Sequence, residues 1–215
     1  LIKLLKDERA SKERHNYFKN IFKPKNNLEK AYRWYYLNRT SYSGIMNMQN
    51  CYWGYGDKYS MRPENWPRSI LRTAEKLQNV LLSSYDFERI IKEARDGSFL
   101  FIDPPYFNAD QDKFYTHSFK KDDHFRLNEI LKENRKRIRY LITYDNCEEI
   151  REMYSWANEM QDKEWNYTIN RTDDQKKNGK KANGIIEKGK RYKGKEVFIT
   201  NYDIPLVSSQ IPLLM

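Results

Sequence analysis

The chain has 215 residues, enough for one sizeable domain or a domain carrying an insertion. Its 40 Lys and Arg outweigh 30 Asp and Glu, the formal net charge is +10, and 15% of residues are aromatic, including 17 Tyr. Excess positive charge interleaved with aromatic rings favours a polyanion whose bases can be stacked, nucleic acid before membrane. No apolar run approaches membrane-spanning length and no signal peptide is visible, so a cytoplasmic protein is expected. Cys51 and Cys147 are far apart without metal-type spacing, and His15, His117 and His124 form no cluster in the sequence. A reduced protein with no metal site is expected.

In chain order, residues 1 to about 38 have a helical pattern, with Leu1, Leu4, Leu5, Tyr17, Phe18, Ile21 and Phe22 recurring between charges. The opening Leu1-Ile2-Lys3 lacks an initiator Met and a cap, which reads as a fragment whose true start lies upstream. Lys23 to Asn27 is a break, and Asn27 is expected to cap a helix through Leu28, Ala31, Tyr32, Trp34 and Tyr35. From Asn38 to Pro67 the helical period disappears among Met, Asn, Gly, Tyr and Trp, as in an irregular or hairpin insertion. Its Asn38, Arg39, Tyr42, Ser43, Asn47, Gln49, Lys58 and Arg62 are the residue types that touch bases and phosphates.

Arg68 to Asn79 returns to helix, and Val80 to Ser84 is expected to be a short strand ending at Asp86-Phe87. A helix through Ile90, Ile91 and Ala94 follows, then a buried strand over Ser98 to Ile102. After a loop over residues 108–119 come a helix through Phe125, Leu127, Ile130 and Leu131, a strand over Ile138 to Thr143, and a helix over Glu148 to Trp156. The alternation predicts an α/β fold, a mostly parallel sheet with helices on both faces. Trp165 to Arg171 and Glu196 to Asn201 are expected to form an antiparallel pair. The basic stretch between them, Thr172 to Lys195, is either a solvated loop or one that orders on a phosphate backbone.

The strand at Ser98 to Ile102 runs into Asp103-Pro104-Pro105-Tyr106. Proline cannot continue a ladder and pushes its predecessor into an extended conformation, so this strand stops abruptly in a rigid lip. Ligands of open α/β sheets sit at such carboxyl ends. The lip presents a carboxylate, main-chain carbonyls and an aromatic face, which suit an exocyclic amine on a flat base. The alternative is a proline-stiffened turn with a solvated Asp. Three strand ends, Asp86-Phe87, Asp103 to Phe107 and Asp145-Asn146, would line one sheet edge.

With these motifs in order, the chain resembles the Dam-like (D12 class) N6-adenine DNA methyltransferases. Asp103-Pro104-Pro105-Tyr106 matches their catalytic motif, and Tyr36 to Gly44 resembles the start of their target-recognition hairpin. Val80 to Phe87 is similar to the strand leading to their acidic-aromatic pair. Phe114 to Phe119 resembles the loop after the catalytic motif, and Glu196 to Tyr202 the closing strand. The resemblance implies a Rossmann-like class I methyltransferase sheet with an inserted, mainly helical target-recognition domain. Residues 1–9 would end a catalytic-domain helix, 10–78 would be the recognition domain, and 79–215 the carboxyl-terminal part of the catalytic domain.

The implied activity is methyl transfer from S-adenosylmethionine to N6 of a flipped-out adenine in double-stranded DNA, in a restriction-modification or phage setting. A cognate restriction endonuclease is an expected partner. Asp103, Pro104, Pro105 and Tyr106 would be catalytic, and Asp86, Phe87, Asp103 and Phe107 would hold the cofactor. The Asn38 to Arg62 set would contact DNA. The family's Phe-x-Gly-x-Gly cofactor loop and the following acidic residue are not found in these 215 residues. That amino-terminal segment is expected to lie outside them. After Gly44 the chain reads Ile45-Met46-Asn47-Met48-Gln49, without the arginine some relatives use to read guanine, so a GATC target is not assumed. The rivals are an RNA methyltransferase and a catalytically inactive DNA-binding remnant.

Overall fold

The computed structural model describes residues 1–108, 119–166 and 193–204. These fall into two compact units, Leu1–Ser84 and residues 85–108 with 119–166 and 193–204. Of the loop expected over Phe114 to Phe119, residues 114–118 lie outside the described residues; of the basic stretch expected over Thr172 to Lys195, residues 172–192 do, and 193–195 belong to a strand.

The first unit is helical and held by aromatic rings. α1 (Ile2–Leu5) and α2 (Lys12–Asn16) are short, and α2 continues into a π-helical turn over Tyr17–Ile21. α3 (Asn27–Thr40) is capped by Asn26, one residue earlier than expected. The Asn26 side chain accepts the Glu29 N–H at 2.9 Å while Glu29 reaches back to the Lys25 N–H at 2.6 Å, satisfying donors that a helix start otherwise leaves orphaned. Leu5, Phe18, Tyr36, Leu37 and Trp66 are fully buried together. Phe18 stacks on Tyr36 at 4.6 Å, and Tyr36 meets the edge of Trp66 at 5.7 Å. Burying each such ring contributes on the order of 1.5–3 kcal/mol. Of the aromatic residues expected along α3, Tyr32 is buried and Tyr35 packs against this core, whereas Trp34 is 54% exposed.

The segment after α3 is a hairpin without regular strands. Ser41 bridges Trp53 antiparallel, the Tyr42 N–H donates to Tyr52 O at 2.9 Å, and the Gly54 N–H to Thr40 O at 2.9 Å. Gly54 is required by close approach: a Cβ there would lie 2.2 Å from Tyr42 Cα. α4 (Trp66–Lys76) follows. The strand expected over Val80 to Ser84 does not form. Leu81 is 100% exposed and Leu82 74%. An apolar run becomes a strand only beside a partner that takes its N–H and C=O groups, and among the described residues none lies beside it.

The second unit contains a four-stranded sheet in the order β1-β2-β4-β3. β1 is Phe99–Ile102, β2 Arg139–Asp145, β3 Glu159–Asn166 and β4 Lys193–Thr200. β1 and β2 are parallel, β2 and β4 antiparallel, and β4 and β3 antiparallel. The sheet is therefore mixed rather than mostly parallel among the described residues. The helices are α5 (Phe87–Glu93), α6 (Lys121–Asn134) and α7 (Glu148–Met153). β1 also differs from the buried strand expected. Leu100 and Ile102 pack on the core, but Phe99 and Phe101 are 55% and 63% exposed. A short apolar run cannot by itself reveal that only one face of its strand is packed.

The core of this unit gathers Leu127, Leu131, Tyr140, Ile142, Tyr144, Ile150, Tyr154, Val197 and Ile199. Residues alternate across a strand, so Tyr140, Ile142 and Tyr144 go to one face of β2 while Thr143 and Asp145 go to the other.

Candidate active site

The lip at Asp103 lies at the carboxyl end of β1, where the parallel neighbour β2 extends beyond it. Pro104 is buried while Asp103 is exposed. The proline anchors the turn, and the carboxylate stands clear of it.

Three side chains from the neighbouring strands fix this lip. Thr143 on β2, itself buried, donates its hydroxyl to Asp103 Oδ1 at 2.7 Å. Asp145, two residues further, accepts the N–H groups of Phe107 at 2.8 Å and Asn108 at 3.1 Å. Glu196 on β4 is buried and accepts the Tyr106 hydroxyl at 2.6 Å. Asp145 and Glu196 stand opposite each other in the antiparallel pairing, so their side chains share a sheet face. The lip is thus held at the Asp103 carboxylate, at the Tyr106 phenol and at the main chain after it. Asp145, expected as one of three strand ends lining a cleft, serves as a clamp on this backbone. Thr143 and Glu196 were not singled out from sequence.

Asp86-Phe87, expected as a strand end, instead opens a helix. Asp86 caps α5, with Oδ1 accepting the Glu88 N–H at 2.9 Å, and its Oδ2 accepts from Arg126 at 3.0 Å. The Arg126 guanidinium lies over the Phe87 ring, 4.4 Å from its centroid. An acceptor carboxylate beside a ring that already takes a planar, electron-poor group suits a purine with an exocyclic amine. Arg126 engages both members of this pair, so a ligand there would compete with it. Phe107 is packed against the core, edge-on to His124 at 5.1 Å, with Lys121 Nζ 5.5 Å from its centroid. Buried His124 has its Nδ1 2.6 Å from the Tyr144 hydroxyl. Burial lowers the His124 pKa below its ordinary value, against the opposing pull of Asp145 and Asp123, and burial pushes the Tyr144 phenol up. No group of acidic, His and Cys side chains among the described residues could hold a metal ion. A concavity of about 660 Å³ lies at the other end of β1 and β2, lined by Gly97, Arg137, Arg139 and Asn201. Its cations outnumber its one carboxylate, Asp96, which lies 3.5 Å from Arg137.

In the first unit, the candidate nucleic-acid residues separate into two kinds. Asn38 is engaged within the protein, donating to Gly44 O at 3.1 Å and accepting from Arg39 at 2.7 Å. Asn47 Oδ1 accepts the Gln49 N–H at 3.0 Å in a tight turn. Ser43 sits at φ 51, in the left-handed region, where the hairpin begins. Tyr42, Ser43, Gln49, Lys58 and Arg62 are exposed. Tyr59, 93% exposed, was not singled out from sequence. Isolated exposed tyrosines have no distinguishing pattern.

The family model described as D12 class N6 adenine-specific DNA methyltransferase matches residues 1–169. The type II methyltransferase M1.LlaDCHI of Lactococcus lactis subsp. cremoris is 26% identical over 185 residues, 81% of this chain and 59% of that protein. The type II methyltransferase M.CviBI of Paramecium bursaria Chlorella virus NC1A is 28% identical over 148 residues, 67% of this chain and 55% of that protein. The chain spans little more than half the length of these relatives.

Proposed function

The chain belongs to the D12 class N6 adenine-specific DNA methyltransferases, and on that premise we propose that it methylates N6 of a flipped-out adenine in double-stranded DNA. The methyl donor is S-adenosylmethionine, and the setting is a type II restriction-modification system, as the names of its relatives suggest. The observation that carries the reading is the exposed Asp103 carboxylate, held by Thr143 at 2.7 Å beside a Tyr106 held by Glu196.

Adenine N6 is a poor nucleophile because its lone pair is delocalised into the ring. The Asp103 carboxylate and the Pro104 carbonyl accept its two hydrogens and draw the nitrogen toward tetrahedral geometry, which localises the lone pair. Tyr106 supplies the face on which the base stacks once it has left the duplex. S-adenosylmethionine, when bound, supplies an electrophilic methyl on a sulfonium. Asp103 would receive the proton that N6 loses when it takes that methyl. Alignment and fixed acceptors account for the rate. Asp86 and Phe87 would hold the donor's adenine, and the exposed hairpin residues of the first unit would choose the site. No described helix is long and apolar enough to cross a membrane.

The test is transfer of labelled methyl from S-adenosylmethionine to duplex DNA, with structured RNA as the competing substrate and cofactor binding measured by calorimetry. Label in DNA adenine is expected. Label only in RNA makes it an RNA enzyme, and absence of both cofactor binding and label makes it an inactive remnant.

A further inference from the structure

We propose that α4 is a phosphate track for duplex DNA, with Arg68, Arg72 and Lys76 as its contacts; this rests on the DNA reading above. The three cations recur every four residues, so they form one stripe along the helix. At 1.5 Å of rise per residue the stripe is about 12 Å long, the length over which one DNA strand presents three to four charges at about 3.4 Å each. All three cations line one open cavity of about 260 Å³ with Met61, Asn65, Ser69 and Thr73. Asn and Ser side chains between cations are of the kind that contact phosphate and sugar without reading sequence, while the Thr73 hydroxyl already donates to Ser69 O at 3.0 Å.

The bland alternative is a solvated helix face, and two observations weigh against it. Like charges at i,i+4 on a helix cost about 0.2–0.5 kcal/mol per pair, and on two other helices basic side chains are offset by acidic partners. α5 pairs Arg89 with Glu93 at 2.9 Å and Lys92 with Glu88 at 2.5 Å, and α6 pairs Arg126 with Asp123 at 3.1 Å. On α4 none of the three cations makes an ion pair among the described residues, although Glu75 is on the same helix. The charge is also segregated: at 100° per residue, Ile70, Ala74 and Leu77 lie on the side opposite the stripe. Ile70 packs toward the aromatic core. The stripe follows directly on the loop bearing Lys58 and Arg62, which extends that candidate contact surface along the chain.

The test is the salt dependence of duplex binding by the full chain and by its R68Q/R72Q/K76Q variant, with folding checked by circular dichroism. Each lost phosphate contact makes the slope of log K against log salt less negative by about 0.9. The triple variant is therefore expected to change the slope by about 2–3, to weaken binding equally on all sequences, and to be rescued by R68K/R72K. The single variant Arg72→Gln should change it by about 1. Wild-type binding with an unchanged slope in the folded triple variant overturns the track while leaving the DNA reading standing. No salt-dependent duplex binding by the wild-type protein overturns the DNA reading itself.

Discussion

The Thr143 hydroxyl donates to Asp103 Oδ1 at 2.7 Å, joining two residues 40 apart in the chain across the β1–β2 pairing. The bond fixes the rotamer of the carboxylate and leaves its other lone pairs for an incoming amine. Thr143→Val keeps the shape and removes the donor. A hydrogen bond to a charged group is worth about 1.5–3 kcal/mol, so kcat should fall roughly 10- to 100-fold with KM for DNA little changed. Thr143→Ser should restore most of the rate. Equal loss in the Ser and Val variants would show that the methyl, through packing, is what matters.

The Tyr106–Glu196 bond predicts a coupled pair. Tyr106→Ala should weaken base stacking by about 1–3 kcal/mol. Tyr106→Phe and Glu196→Gln should each cost less, and their combination should cost less than the sum, because both remove the same contact. The double-mutant cycle is read in kcat/KM. Strict additivity would mean that the 2.6 Å contact contributes nothing to the active conformation.

Gly54→Ala tests the hairpin. A Cβ 2.2 Å from Tyr42 Cα cannot be accommodated by moving a side-chain tip, because the obstacle is main chain. The ladder bonds around Thr40 and Tyr52 must shift, at about 1–3 kcal/mol, the usual cost of overpacking. Loss of discrimination among DNA sequences is expected before loss of folding, measured as the ratio of specific to non-specific affinity. Unchanged discrimination would detach the hairpin from target recognition.

Stability should depend on pH through two histidines. Burial lowers the pKa of both His15 and His124 in the folded state. The unfolded chain titrates near 6.5, so below that pH it binds more protons than the folded form, and stability falls as pH drops through about 6.5 toward the depressed folded values. Above pH 7 this contribution is flat. Denaturation midpoints between pH 5 and 8 should show the fall, reduced in His124→Gln. A midpoint unchanged from pH 8 to pH 5 would contradict it.

The lip was legible in the sequence because its signals are local: an apolar run, an acid, two prolines and a tyrosine act through their own backbone. The α3 helix was legible for the same reason, with its cap displaced by one residue. What holds the lip was not legible. Thr143 and Glu196 reach it from 40 and 90 residues away through strand pairing, and no composition rule announces a register. Val80 to Ser84 failed from the opposite direction: the residues suit a strand, and no partner strand lies beside them among the described residues. Phe99 and Phe101 are exposed because they point to the face of β1 opposite Leu100 and Ile102, and composition does not reveal which face is covered.

The most direct test of the central claim is sequencing of modified bases in DNA from a host that lacks its own adenine methylation and expresses either the protein or its Asp103→Ala variant. The account predicts N6-methyladenine at one defined sequence with the wild-type protein and none with the variant, while the variant keeps its affinity for duplex DNA. Methyladenine that persists in Asp103→Ala, or modification confined to another base, would contradict it.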